Sequence, residues 1–328
     1  MSINKALRSA KTSKKDLIMK RILALILTVA SISLSLVSCG FLDISNPASG
    51  KGQSKTYDTG YYKLTTTHGG QIQGGTVQMG EYPQTLKADG VTLGATPDKD
   101  GYYLGSDGER YAPLVANPHK DSTAGYEKGK TYYFKVEPIL WDVVSASEDS
   151  YRIASRNILT ARPFDDDSTS YVDSDIRAWL NGEFLETAFN DQETFGILVT
   201  EVDNSKRSVY SRGDDSVLRE AIEKYAQNYE FTYDKIYLRS RSESIYGDGG
   251  DPTDYAVACG YCEQMWNKNV PIYCWTRTPT FSNVADYNVV LVTSGYANGY
   301  VPGEYILDSM GVFPCMRILP VNTDGEKK

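Results

Sequence analysis

The chain has 328 residues, 41% hydrophobic and 23% charged, an ordinary globular composition with enough apolar material for a real core. Its formal charge is -8; residues 1–38 hold seven Lys/Arg and one Asp, a net +6, so the remainder carries -14. That balance repels phosphate backbones and anionic headgroups and excludes nucleic-acid binding as a main function.

Residues 1–18 are basic and lack apolar periodicity, as an extended n-region or a misassigned start before Met19 would. From Met19 the chain reads Lys20 and Arg21, then sixteen residues, "ILALILTVASISLSLV", then Ser38 and Cys39. A spanning helix needs about 20 apolar residues, and Ser and Thr dilute this run, so 19–38 reads as a signal peptide. "Leu36-Val37-Ser38-Cys39" resembles the lipobox of bacterial lipoproteins. In that family the Cys thiol takes a diacylglycerol and becomes the new N-terminus, which makes Cys39 the expected lipidation site and the membrane a partner through that lipid. The alternative is a plain secretory signal with an incidental Cys. Either way the expected location is extracytoplasmic, in the cell envelope or at the surface. Residues 39–60 are rich in Gly, Ser, Asn, Lys and Thr and read as a flexible tether with an r.m.s. reach of roughly 20–27 Å.

One domain is expected over 61–320, with a tail over 321–328. There are 25 Tyr against 9 Phe, which suits strands with one face in water. "GGTVQMGEYPQTL" predicts a strand broken by Pro83. Two Tyr-rich runs flank the turn signal "GSDG". "GKTYYFKVEPILWDVVSA" predicts a long strand, and "SYRIASRNILTA" follows at hairpin distance. The period then changes. "SDIRAWLNGEFLETAF" sets Ile176, Trp179 and Leu180 on one helical face, capped by Ser174 or Asp173, with a break at Gly182. "DDSVLREAIEKYAQNYE" aligns Val217, Leu218, Ala221, Ile222, Tyr225 and Ala226. A third helix is predicted to start with Asp251 as cap and Pro252 in its first turn. Strands return with "PIYCWTRTP", "YNVVLVTSGY" and "MGVFPCMRIL". The order predicts an α+β fold with a mixed, mainly antiparallel sheet and two or three helices.

An ordered set of pieces resembles a bacterial family called domain of unknown function 6273. They are "MGEYPQT" (79–85), "YYFKVEPILWDVV" (132–144), "RIASRNIL" (152–159), "SDIRAWLNGEFLETAF" (174–189), "DKIYLRSRSE" (234–243), "TDYA" (253–256), "WTRTP" (275–279) and "GVFPCMRI" (311–318). The resemblance implies a secreted or surface protein. This chain departs from the family pattern at Thr276, where Leu is usual, at Phe313, where Arg is usual, and at Cys315, where Ala is usual. If the missing Arg braces something, Arg317 is the residue left to do it. The closing pieces resemble C-type lectin-like domains more loosely.

Chemistry-bearing residues are sparse. Beyond Cys39 there are Cys259, Cys262, Cys274 and Cys315, expected as disulfide cysteines or buried thiols; their spacing argues against a zinc knuckle, and the context argues against a redox motif. His68 and His119 lie in turn-like stretches and neighbour no nucleophile motif. "DDDSTSYVDSD" sets Asp165, Asp167 and Thr169 at alternate positions like a calcium loop, but Ser170 and Ile176 stand where an EF-hand needs Gly and Glu. Asp248 and Asp251 fit a turn and a helix cap better than a calcium site. No nucleotide-binding fingerprint is present. The sequence therefore implies no catalytic set, no metal and no cofactor. The stretch 275–305 is rich in Tyr, Asn, Ser and Gly, the composition of recognition loops. It nominates Trp275, Arg277, Asn283, Asp286, Tyr287, Tyr296, Asn298 and Tyr300 as a contact surface for a glycan or protein ligand. The expected role is a lipid-anchored binding or adhesion module. The alternatives are a cell-envelope hydrolase using paired acids such as Glu137 with Asp142 or Asp173 with Asp175, and a structural envelope protein without a small ligand.

Overall fold

The computed structural model describes residues 52–166, 170–204, 231–240, 243, 250–262, 272–282, 285–292 and 309–321; for 272, 273, 278–282 and 285–292 it gives the course of the backbone. The strands before the helices are β1 (Thr56–Asp58), β2 (Lys63–Thr65), β3 (Thr76–Leu86), β4 (Tyr103–Leu104), β5 (Arg110–Val115), β6 (Thr131–Ala146), β7 (Tyr151–Ser155) and β8 (Thr160–Arg162). A 3₁₀ turn (Tyr171–Asp173) then leads into α1 (Asp175–Asn181), α2 (Glu183–Ala188) and α3 (Asp191–Gly196). After them come β9 (Ile197–Leu198), β10 (Thr200–Val202), β11 (Thr232–Asp234), β12 (Ile236–Leu238), α4 (Asp254–Cys259), β13 (Ile272–Ser282), β14 (Ala285–Val292), β15 (Met310–Val312) and β16 (Pro314–Ile318).

Ten strands form the main sheet, in the order β1-β2-β3-β6-β7-β16-β12, with β5 also on β6, β4 on β5 and β9 on β16. Every pairing in it is antiparallel. Its spine is β6, whose 16 residues span about 50 Å and pair with β5, β3 and β7. A four-stranded sheet runs β14-β13-β15-β8, with one parallel contact, Cys274 opposite Gly311. β10 and β11 make a separate ribbon. The fold is α+β and mainly antiparallel.

The core follows the strand alternation. Val77 and Met79 of β3, Ile139, Trp141 and Val143 of β6, and Ile153 of β7 are buried. Trp141 is fully buried and its Nε1 donates to the Met79 carbonyl at 2.8 Å, so the ring joins neighbouring strands without stranding a polar atom. α1 turns Ile176, Trp179 and Leu180 inward. Ser174 caps it, its Oγ accepting from the Arg177 amide at 3.4 Å, and Gly182 separates it from α2.

Two local expectations are corrected. Pro83 does not end the strand: β3 continues to Leu86, with register shifts between Gln78 and Glu81 and between Pro83 and Leu86. These irregularities accommodate a residue that lacks an amide donor. The last helix starts later than Asp251. Thr253 caps it, its Oγ1 accepting from the Ala256 amide at 3.1 Å. Residues 251–253 are held in bridge geometry instead: the Ile158 amide donates to the Asp251 carbonyl and the Thr253 amide to the Ile158 carbonyl. The predicted helix of 214–230 lies outside the described residues.

Candidate functional site

The β1–β2 turn folds on its own polar side chains. Asp58 Oδ1 accepts from the Gly60 amide at 3.0 Å, and Thr59 Oγ1 accepts from the amides of Tyr61 and Tyr62. Tyr62 sends its hydroxyl to the Leu319 carbonyl at 2.5 Å, tying the turn to the chain beyond β16. Burial first, and Tyr151 nearby second, push its phenol well above the ordinary range. Opposite the turn, β3 bulges at Gly80, whose φ is +74°. A Cβ there would lie 2.7 Å from Phe189 Cε1 and 2.8 Å from the Ala188 carbonyl, so only glycine fits. The Gly80 amide donates to Glu193 Oε1 at 2.8 Å. Glu193 also completes a capping box with Asn190 at the start of α3.

These three pieces enclose a cleft of about 290 Å³. Asp58, Tyr61, Lys63, Gln78, Glu81 and Asn190 line it, with Gly80, Pro138 and Glu193. Lys63 and Gln78 face each other in register across β2 and β3, and Glu81 pairs with Arg110. Beside the cleft Tyr61 packs against Phe195, ring centroids 5.7 Å apart, and Phe195 is 69% exposed. The cleft is a polar cradle with a half-buried Tyr61 and an exposed Phe195 at its edge. Such a surface offers hydrogen bonds to a hydrated ligand and a flat apolar face to stack on.

A second constellation is partly buried. Glu243 accepts from Arg152 Nη1 at 3.1 Å, Arg277 Nη2 at 2.7 Å, the Ser240 amide at 2.8 Å and Ser240 Oγ at 3.1 Å. Burial alone would raise its carboxyl; the Arg277 charge, the Ser240 amide and Arg152 outweigh that and hold it below the usual carboxylate range. Arg277 also donates to the Asp203 carbonyl at 2.6 Å. The hub thus ties β7, β13 and the end of β10 together. Close by, the Arg239 guanidinium lies 3.9 Å over the Phe313 ring. Phe313 supplies an aromatic floor for that cation. Arg317, the residue nominated as a substitute brace, donates to Ser150 Oγ at 3.1 Å and pairs in register with Arg152.

Of the contact surface expected over 275–305, two nominated side chains have a described environment. Trp275 and Arg277 are buried, 1% and 4% exposed, and act as internal braces; Trp275 Nε1 donates to the Arg162 carbonyl at 2.7 Å. Asp286 and Tyr287 take their places on β14, opposite Phe281 and Thr280. Asn283, Tyr296, Asn298 and Tyr300 lie outside the described residues, as does Cys39. None of Cys259, Cys262, Cys274 and Cys315 is in a disulfide. Burial pushes the thiols of Cys274 and Cys315 up to about 12 and raises that of Cys259. They serve as small apolar groups: Cys274 packs on Gly311, and Cys315 sits opposite Ala154.

The nominated acids are engaged in structure. Glu137 Oε2 accepts from the Thr85 amide at 3.0 Å, and Asp142 pairs with Arg156 at 2.5 Å. Asp165 and Asp175 meet with Asp166 within 4.8 Å, where Asp165 Oδ2 accepts from the Asp175 amide at 2.9 Å and fastens the first turn of α1. Asp167, Thr169 and Asp248 lie outside the described residues, and Asp173 ends the 3₁₀ turn. His119 Nδ1 accepts from the Asp121 amide at 3.2 Å, and His68 is exposed in a turn.

Architecture and site together define an α+β protein whose antiparallel sheet carries a polar surface cleft. The family described as "Domain of unknown function (DUF6273)" matches residues 148–320, more than half of the chain, and the protein belongs to that family. No curated protein and no solved structure matched the chain in the same comparisons.

Proposed function

We propose that the protein is a lipid-anchored extracytoplasmic binding module, moored through Cys39, that takes a glycan in the cleft between the β1–β2 turn, the β3 bulge and α3. The observation that supports it best is the pairing of a polar cradle with the Tyr61–Phe195 platform, whose Phe195 ring is exposed. A pyranose presents hydroxyls around its edge and C–H groups on its face, and the two halves of the cleft match those two demands. The lipobox-like "Leu36-Val37-Ser38-Cys39" and the polar stretch after it support the anchor. Kinship with C-type lectin-like domains is part of the same proposal, resting on the order of the "WTRTP" and "GVFPC" pieces.

Two measurements test it. Metabolic labelling with radioactive palmitate should mark the protein, and Cys39→Ser should abolish the label; an unlabelled native protein with residues 1–38 intact would overturn the anchor. A glycan array probed with the detergent-solubilised full chain should give saccharide hits that Tyr61→Ala and Gln78→Ala weaken about tenfold or more. Hits unaffected by both substitutions, or no hits, would overturn the cleft.

A further inference from the structure

Arg162 ends β8, the outer strand of the smaller sheet, and its guanidinium lies over the Trp179 ring, 4.3 Å from the centroid. The backbone there is fixed, since the Arg162 carbonyl accepts from Trp275 Nε1. The side chain is not so well satisfied. Nε is buried and has no hydrogen-bond partner, and no carboxylate among the described residues forms an ion pair with the guanidinium. Glu183 and Asp175 are near enough to be felt, without contact. Beneath lies a run of aromatics: Trp179 on Phe184 at 5.0 Å, Phe184 on Tyr82 at 5.2 Å, and Tyr82 edge-on to Tyr255 at 5.5 Å. The Tyr255 hydroxyl links Tyr82 to the half-buried Cys259 thiol. A partly desolvated guanidinium keeps its charge, and leaving it without an anion is costly. Stacking on Trp179 leaves the two terminal Nη groups, rather than the buried Nε, to a partner that approaches from the edge.

We propose that Arg162 is the anchor of a carboxylate-binding site, separate from the cleft, that takes the free carboxylate of an acidic sugar or of a peptide C-terminus. A planar carboxylate matches the fork in a bidentate manner. The acids that act on Arg162, Glu183 and Asp175, disfavour a dianion, so phosphate is the poorer ligand. The aromatic run is core, and it serves to hold the Trp179 ring under the guanidinium. The site goes beyond the lipid-anchored reading and stands whether or not Cys39 is acylated.

The test is calorimetric titration of the detergent-solubilised full chain with two probe pairs, D-galacturonate with its methyl ester and hippurate with hippuramide, and with inorganic phosphate. At least one free acid should bind about tenfold or more tightly than its neutral partner and than phosphate. Arg162→Lys, which keeps the charge and loses the fork, should weaken that acid about tenfold, and Arg162→Gln should abolish the preference. Tyr61→Ala and Gln78→Ala in the cleft should leave it unchanged, which separates this site from the proposed glycan cleft. The acid that prefers the site, uronate or hippurate, identifies the source of the carboxylate. Should Arg162→Gln fail to fold, acid against neutral partner on the unaltered protein still decides. Equal binding of acids and neutral partners, tighter binding of phosphate, or an acid preference surviving in Arg162→Gln would overturn the proposal.

Discussion

Replacing Glu243 by Gln keeps the shape of the side chain and removes its charge, which isolates what the carboxylate does for the hub. Two guanidiniums and both donors of Ser240 converge on it, and the Arg277 side chain is only 5% exposed. The substitution leaves Arg277 buried without its counter-charge. Breaking such a pair from one side costs about 3–5 kcal/mol; because Glu243 and Arg152 keep some exposure, 21% and 19%, we expect about 3 kcal/mol. At roughly 2–4 °C per kcal/mol, thermal unfolding followed by circular dichroism should show a midpoint about 6–12 °C lower. The effect has a pH signature. The folded-state carboxyl is held below its unfolded value, so the stabilisation is complete above about pH 4.3 and is lost as the pH falls through the folded value. The gap between parent and variant should therefore close in strong acid. Removing the partner charge as well, in Glu243→Gln/Arg277→Met, should recover part of the loss. A parent-like midpoint for Glu243→Gln at neutral pH, or a gap that does not narrow in acid, would refute the reasoning.

Gly80→Ala meets both a left-handed backbone and the Phe189 ring, and chemical denaturation should show a loss of about 2–4 kcal/mol. Trp141→Phe leaves the Met79 carbonyl without its buried donor and should cost about 1–3 kcal/mol by the same measurement. At pH 8 a thiol raised to about 12 is thiolate in about one molecule in ten thousand, so iodoacetamide should label Cys274 and Cys315 only as fast as the protein unfolds. In denaturant without reductant, Cys259, Cys262, Cys274 and Cys315 should all be labelled at once, because none is in a disulfide.

The fold was legible where a signal is local. Alternation along 131–146 marked β6, the spacing of Ile176, Trp179 and Leu180 marked α1, and Gly182 marked its end. It was less legible where tertiary contacts override a local preference. Asp251-Pro252 reads as a helix start, but bridge contacts with Ile158 keep the chain extended until Thr253. Pro83 reads as a strand end, but β6 pairs past it through register shifts. The cleft was not legible at all, because its walls come from 58–63, 78–81, 138 and 190–193, brought together by the sheet order. The one hint lay in "MGEYPQT", where a glycine interrupts a strand pattern and so marks a close approach. The nomination of Trp275 and Arg277 rested on composition, which does not tell an aromatic or cationic side chain that meets ligand from one that meets the interior.

The position of β16 governs when the molecule can become whole. Residues 314–318 lie between β7 and β12, strands that the ribosome makes more than 70 residues earlier. Until that late segment arrives, the growing chain holds the β1–β7 part of the sheet with a bare edge at β7, and the short strands β9 and β12 without their partner. Closing the sheet is a long-range event, slow by topology, during which the open edges are competent to pair with another chain. A truncation upstream of residue 314 would therefore do more than trim the end: it would make that transient, aggregation-prone state permanent.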